Sequence, residues 1–165
     1  DINDLSERDR MDYYLQDNLK SKNIHNLIKL VQSMEYEGRR LLASTSFRGG
    51  GIPTDNVVEV ADFILIHGNG VEDVKRIKEM IDIIRQKPCY RGQPILFNED
   101  DHFDFDKDKN HLLTAIRNGV SWGYFDPGKS NYCDGYQRPP VNWGINTQRK
   151  KEFFDLVEKI VGKRI

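Results

Sequence analysis

The sequence lacks long apolar runs and lacks an excess of either charge. No apolar stretch approaches the ~20 residues that a membrane-spanning helix needs, so no membrane partner is expected. The net charge is −1, and lysine and arginine are scattered apart from the trio Arg149-Lys150-Lys151, so bulk electrostatics do not indicate a nucleic-acid partner. The composition is that of a globular domain on the polar side.

Several sequence signatures are also missing. The only cysteines, Cys89 and Cys133, make no disulfide framework and have no zinc-ligand spacing. The triplet Gly49-Gly50-Gly51 is not followed by Lys-Ser or Lys-Thr, which argues against a P-loop. We expect a loop whose backbone needs unusual dihedral angles or passes close to a ligand. The chain begins without methionine and without a leader-like segment, so we expect a piece of a longer protein and predict no compartment.

Apolar runs alternate with amphipathic stretches along the chain. The runs predict strands at 40–47, 61–67, 94–98 and 120–126. The amphipathic stretches predict helices at 24–37, 56–60, 74–87, 112–118 and 147–161. This alternation predicts an α/β fold in which parallel βα repeats are joined by right-handed crossovers.

Four such repeats amount to half of a (β/α)8 barrel, which typically needs ~250 residues. We therefore predict that residues 1–165 form a single partial domain, the C-terminal half of a TIM (β/α)8 barrel with strands five to eight. A half barrel exposes two strand edges, so we expect them to be covered by the missing N-terminal half or by self-association. The rival fold is a small open α/β sheet, but the GxGxxG loop that would favour it is missing.

Each predicted strand ends in polar residues, and in parallel sheets these ends meet on the functional face. The ends are Ser46, His67, Glu99 with Asp100, and Asp126.

The end of the third predicted strand is the richest in chemistry. Glu99 lies beside Asp100 and Asp101, and crowded carboxylates shift one another's pKa, which suits acid, base or nucleophile roles. The alternative is an Asp-rich surface turn. His102 orients a carboxylate, binds substrate or belongs to the loop.

The acids after this strand resemble the start of a calcium loop but do not complete it. Lys109 stands where glycine is required and Ala115 where glutamate is required, so an EF-hand is rejected. We expect Asp104, Asp106 and Asp108 to cap the following helix, and we predict no metal and no cofactor.

Aromatic residues gather in the last predicted strand and the loop after it. They are Trp122, Tyr124, Tyr132, Tyr136 and Trp143. Aromatic faces near carboxylates suit sugar rings, which predicts a carbohydrate ligand, whereas the alternative is that the tryptophans are core or loop anchors.

Three segments carry a resemblance to a known family. They are Ile95-Leu96-Phe97-Asn98-Glu99-Asp100-Asp101-His102-Phe103, Ser121-Trp122-Gly123-Tyr124-Phe125-Asp126 and Pro139-Pro140-Val141-Asn142-Trp143-Gly144-Ile145. From about Ile24 onward the chain resembles the C-terminal half of a clan A glycoside hydrolase, a cellulase-like (β/α)8 barrel.

The resemblance implies a hydrolase that cleaves O-glycosidic bonds of a poly- or oligosaccharide by a retaining two-carboxylate mechanism. It implies that Glu99 is the nucleophile, that His67 lies close to it and that Trp122 is a sugar-binding platform. The only candidate acid/base is Glu7, where Ser6 replaces the asparagine that the family places before this residue. We predict substrate contacts from Asn98, Asp100, Asp101, His102, Tyr124, Asp126 and Trp143 as well.

Two other functions stay open at this point. One is a non-catalytic carbohydrate-binding barrel that kept the aromatic cleft without the acid pair. The other is a different barrel enzyme, such as a metal-dependent lyase or isomerase that uses Asp100, Asp101 and His102.

Overall fold

A computed structural model describes residues 19–126 and 144–162. Glu7, Tyr132, Cys133, Tyr136 and Trp143 lie outside the described residues, so their predicted roles stay predictions. The elements, in chain order, are α1 (Ile24–Ser33), β1 (Glu35–Tyr36), β2 (Arg39–Arg40), α2 (Asp55–Val60), β3 (Ile64–His67), α3 (Val74–Gln86), β4 (Ile95–Glu99), α4 (His111–Arg117), β5 (Ser121–Trp122) and α5 (Gln148–Val161).

The central feature is a three-stranded parallel sheet in the order β3-β4-β5. Leu65 pairs with Leu96, and Phe97 pairs with Trp122. The expectation of a mixed α/β fold with parallel strands and intervening helices is confirmed. The register shifts between Ile66 and His67, so that His67 lies opposite Glu99.

The core lies between this sheet and the helices packed on it. Alternate residues of β3 and β4 are buried, with Ile66 and Phe97 at 0% exposure. Helix α3 turns a strongly apolar face inward through Ile77, Met80, Ile81 and Ile84, all fully buried. This alternation fixes which side chains of each strand point to the core, because a strand has a period of two residues.

The predicted strand at 40–47 is wrong. Only Arg39–Arg40 is a strand, and it pairs antiparallel with Glu35–Tyr36 in a hairpin. The predicted helix from Ile24 is shorter than expected, because α1 ends at Ser33 and Gly38 has a φ of 76°, suited to the hairpin turn. Residues 43 and 44 still contact the chain before β3. The amide of Ala43 donates to the Asp62 carboxylate, the amide of Asp62 donates to the carbonyl of Ala43, and the Ser44 hydroxyl donates to the carbonyl of Phe63.

The last predicted strand is also shorter than expected. Only Ser121–Trp122 forms β5, although the amide of Gly123 still donates to the carbonyl of Phe97 at 2.6 Å. A Cβ atom at Gly123 would lie 3.2 Å from the carbonyl oxygen of Asn98, so the two chains run close together at this edge.

The helix caps differ from the prediction in one place. Asn110 caps α4, since its side-chain oxygen accepts from the amide of Leu113, whereas the three preceding aspartates do not cap it. Within the described residues, the helices do not combine the length and apolar composition required to cross a bilayer.

Candidate functional site

The carboxyl ends of β3 and β4 bring His67 and Glu99 together. The two residues are opposite in the parallel register, and Nδ1 of His67 lies 3.6 Å from Oε2 of Glu99. The side chain of Glu99 is 39% exposed, whereas that of His67 is 13% exposed. Glu99 is therefore a carboxylate at a strand end that solvent and a ligand can both reach.

Asn98 fixes the other side of the His67 ring. Its Nδ2 lies 3.1 Å from Nε2 of His67, and because an amide nitrogen can only donate, Nε2 is the acceptor. Nδ1, on the other side of the ring, faces Glu99. Oδ1 of Asn98 is buried and has no hydrogen-bond partner among the described residues.

The glycine triplet packs against the end of β3. The amide of Gly50 donates to the carbonyl of His67 at 3.0 Å, and Gly50 has a φ of 69°. A Cβ atom at Gly49 would lie 2.2 Å from the carbonyl oxygen of Asn69. The predicted unusual dihedral angle is confirmed at Gly50, and the close approach at Gly49 is to the backbone of Asn69.

Asp100 follows Glu99 directly but is fully buried. Its Oδ2 accepts from Nδ1 of His111 and from Nε1 of Trp122, each at 2.8 Å. Its Oδ1 accepts from Nδ1 of His102 at 2.9 Å and from the amide of the same residue at 3.2 Å. This carboxylate holds together the β4–α4 loop, the first residue of α4 and β5.

The environment keeps Asp100 ionised. Burial by itself raises the pKa of this carboxyl, but the hydrogen bond and the charge of His111 oppose that effect. With the further hydrogen bonds from Trp122 and His102, the net result is a pKa below the usual range of an aspartate.

Gly68 makes room for the Asp100 carboxylate. A Cβ atom at this position would lie 2.3 Å from Oδ2 of Asp100, closer than any real contact. The amide of Gly68 also donates to the carbonyl of Glu99 at 2.7 Å. The absence of a side chain here therefore lets the loop after β3 lie directly against the loop after β4.

His111 is a site residue that the sequence did not reveal. It is the first residue of α4, its side chain is 2% exposed, and its ring stacks on that of His102 with centroids 4.2 Å apart. Its Nε2 has no hydrogen-bond partner in the described part of the chain. A histidine that starts a helix after an Asp-rich loop is the one sequence signal that could have indicated it.

The aromatic residues of β5 and its extension lie within protein contacts. Besides its bond to Asp100, Trp122 packs in an aromatic cluster with Phe105, Tyr124 and Phe153. The ring of Tyr124 stacks on that of Phe153 at 4.4 Å. Trp122 is partly exposed, so a platform role stays a prediction beside this structural one.

Asp126, another predicted substrate contact, is the last residue of the described range 19–126. It is fully buried, and its carboxylate accepts from Nε of Arg149 at 2.6 Å and from the hydroxyl of Tyr124 at 3.0 Å. Asp126 therefore links the segment that follows β5 to α5.

Most of the predicted site residues fall into two groups. His67, Asn98, Glu99 and Asp101 follow or end the strands and have partly exposed side chains. Asp100 is fully buried, and His102 and Trp122, which are bonded to it, are partly exposed. The first group can meet a ligand, whereas the Asp100 carboxylate is enclosed by protein.

Comparison of the chain with protein-family models, curated proteins and solved structures finds no match.

Proposed function

We propose that the chain belongs to a retaining glycoside hydrolase, in which it forms the C-terminal half of a (β/α)8 barrel and supplies Glu99 as the nucleophile. One observation carries the proposal: Glu99 is a partly exposed carboxylate at the carboxyl end of the middle strand of a parallel sheet. Active sites of (β/α)8 barrels occupy this end of the strands.

The surroundings of Glu99 support a nucleophilic role. Nδ1 of His67 lies 3.6 Å from a carboxylate oxygen of Glu99, so an imidazole flanks the proposed nucleophile. The Glu99 side chain is 39% exposed, which leaves an oxygen available to attack. A nucleophile must be reachable in this way.

In the proposed reaction, an oxygen of Glu99 forms a bond to the anomeric carbon while the bond from that carbon to the leaving oxygen breaks. A second carboxylic acid, ~5–5.5 Å away, protonates the leaving oxygen and later takes a proton from the attacking water. Glu7 is the proposed acid/base and lies outside the described residues. Water then releases the sugar and regenerates Glu99.

Substrate hydroxyl groups need polar partners around the nucleophile. Asn98 directly precedes Glu99, and its partly exposed side chain has an oxygen without a hydrogen-bond partner among the described residues. We propose that Asn98 bonds a sugar hydroxyl and that Trp143 stacks on a sugar ring.

The test replaces Glu99 with glutamine in the protein as it is naturally produced, including any upstream region. Glu99→Gln is expected to lower hydrolysis of a panel of aryl glycosides by roughly 10³-fold or more, because the attacking charge is lost. Glu79→Gln, an exposed position on α3, is the matched control and should hydrolyse like the unmodified protein. Turnover by Glu99→Gln at the control rate would refute the assignment.

The non-catalytic alternative predicts a different pattern. A carbohydrate-binding barrel would bind oligosaccharides without releasing reducing ends, and Glu99→Gln would change affinity alone. Binding without hydrolysis by the unmodified protein would select that alternative.

A further inference from the structure

Asp100 and three neighbouring side chains form a group, here named the Asp100 cluster. Its members are Asp100, Asp101, His102 and His111. One ligand atom from each of Asp100, His102 and His111 lies within 4.8 Å of the others. Asp100 and His111 are buried, and the side chain of His102 is 21% exposed.

We propose that the Asp100 cluster binds a divalent transition metal of the zinc class, through Nδ1 of both histidines and a carboxylate oxygen of Asp100, with the carboxylate of Asp101 beside these three ligands. The proposal does not depend on the glycoside hydrolase function. It assigns a role to His111, which the reaction proposed above does not use.

An unpaired oxygen within the cluster points to a cation. Oδ1 of Asp101 is a buried atom 3.3 Å from Nδ1 of His102, yet it accepts no hydrogen bond from the described residues. A buried carboxylate oxygen without a partner is costly, and a metal ion would satisfy it.

The spacing of the ligand atoms fits tetrahedral coordination. Bonds of ~2.0–2.1 Å to a central zinc place neighbouring ligand atoms about 3.3 Å apart. Nδ1 of His102 lies 2.9 Å from Oδ1 of Asp100, and Nδ1 of His111 lies 2.8 Å from Oδ2 of the same carboxylate. One ligand atom from each of the three residues lies within 4.8 Å of the other two, so outward shifts of the side chains would admit an ion.

The donor types select the class of metal. Two imidazoles with carboxylates suit zinc and related transition metals, whereas magnesium and calcium prefer oxygen ligands alone. Two carboxylates also balance the charge of a divalent ion. When the metal takes Nδ1, each neutral ring carries its proton on Nε2 instead.

The surroundings supply orientation and access. Nε1 of Trp122 donates to Oδ2 of Asp100. This hydrogen bond orients the carboxylate, as hydrogen bonds to metal-binding carboxylates usually do. Asp101 is 38% exposed, which leaves a route from solvent. The bound metal would fasten the β4–α4 loop to the start of α4.

The experiment titrates zinc chloride into the full chain, freed of metal by chelation, and follows heat by calorimetry. We expect one zinc ion per chain, and a dissociation constant raised at least ~10-fold by His102→Gln and by His111→Gln. His25→Gln, in α1 beside Asn56, is the matched control and should bind zinc unchanged. Circular dichroism checks folding, and His102→Gln keeps the test valid if the more buried His111 variant unfolds.

Two further variants distinguish the metal site from the proposed nucleophile Glu99 and its neighbour His67. Glu99→Gln and His67→Gln should retain zinc binding, so failure of the hydrolase proposal leaves this one intact. Absence of saturable binding, unchanged affinity in His102→Gln, loss of binding in His67→Gln alone, or equal affinity for magnesium would each overturn the proposal.

Discussion

At the residue scale, the main result is that Glu99 and Asp100 differ in exposure and in the contacts they make. The two acids are adjacent in the sequence, yet Glu99 is partly exposed while Asp100 is buried. Neighbouring side chains at a strand end point to opposite faces, which allows two adjacent acids to differ in exposure. The sequence could predict that this strand ends in acids. It could not predict His111 as a partner of Asp100, because that contact depends on how α4 packs.

Trp122 gives the residue-scale prediction. Trp122→Phe keeps an aromatic ring but removes the N–H that donates to the buried Asp100 carboxylate. We expect the free energy of unfolding to fall by about 2 kcal/mol, since hydrogen bonds to charged buried groups are worth about that much. Urea denaturation followed by circular dichroism measures the change.

The matched control for this prediction is Tyr36→Phe, at a side chain that is 77% exposed. It should stay within about 0.5 kcal/mol of the unmodified protein, as surface substitutions usually do. If Trp122→Phe is equally neutral in stability and weakens only carbohydrate binding, Trp122 is a sugar platform and its bond to Asp100 is unimportant.

At the scale of elements, Asp62 connects the segment around Ala43, which was predicted to be a strand, to its neighbours. Its carboxylate accepts from the guanidinium of Arg40, the side-chain amide of Gln32 and the backbone amide of Ala43. One side chain thus joins α1, β2 and the segment before β3. An apolar run in the sequence predicted a strand, but it could not show that side chains would supply several of the hydrogen bonds between this segment and the chain before β3.

The pH dependence of stability should report on this junction. The hydrogen bonds from Arg40 lower the pKa of Asp62 well below its usual range, although burial opposes the shift. Because the folded pKa lies below the unfolded value of about 3.9, the stabilisation is present above about pH 4 and is lost as the pH falls toward the folded pKa.

Asp62→Asn is therefore expected to lower the unfolding free energy at neutral pH and to flatten its decline below about pH 4. Chemical denaturation at a series of pH values measures both effects. Asp108→Asn, exposed before α4, is the control and should follow the unmodified curve. An identical acid profile for Asp62→Asn would show that the junction contributes nothing.

At the scale of the whole molecule, the βα alternation predicted the parallel sheet and its carboxyl edge. The periodicity of α3 and the apolar runs of β3 and β4 were sufficient to predict these three elements, because the elements are buried and regular. The hairpin and the short β5 were not predicted, since side-chain contacts and loop geometry determine them. The half-barrel interpretation stays a proposal that concerns parts beyond the described residues.

Self-association is the prediction at this scale. Several large apolar side chains are exposed around α1 and the hairpin, namely Leu30, Met34, Tyr36, Leu41 and Leu42. Met34, Tyr36 and Leu41 line one surface depression. An exposed apolar surface of this kind favours association, so sedimentation velocity on the isolated chain should show oligomers that grow with concentration.

Charged substitutions locate the surface responsible. Leu41→Lys with Leu42→Lys should shift the chain toward monomer, whereas Ile83→Lys on the outer face of α3 should leave association unchanged. A chain that sediments as a monomer at all concentrations would contradict the expectation of an uncovered barrel edge.

The most direct test of the central claim is covalent trapping of Glu99. Dinitrophenyl 2-deoxy-2-fluoroglycosides, offered as a panel of common sugars, lose dinitrophenolate without protonation, so the probe does not require the acid/base residue. The fluorine slows release of the sugar, and peptide mass spectrometry locates the adduct. The account predicts one sugar esterified to Glu99, with no adduct in Glu99→Gln. An adduct on another carboxylate, or none from any probe in the panel, would contradict it.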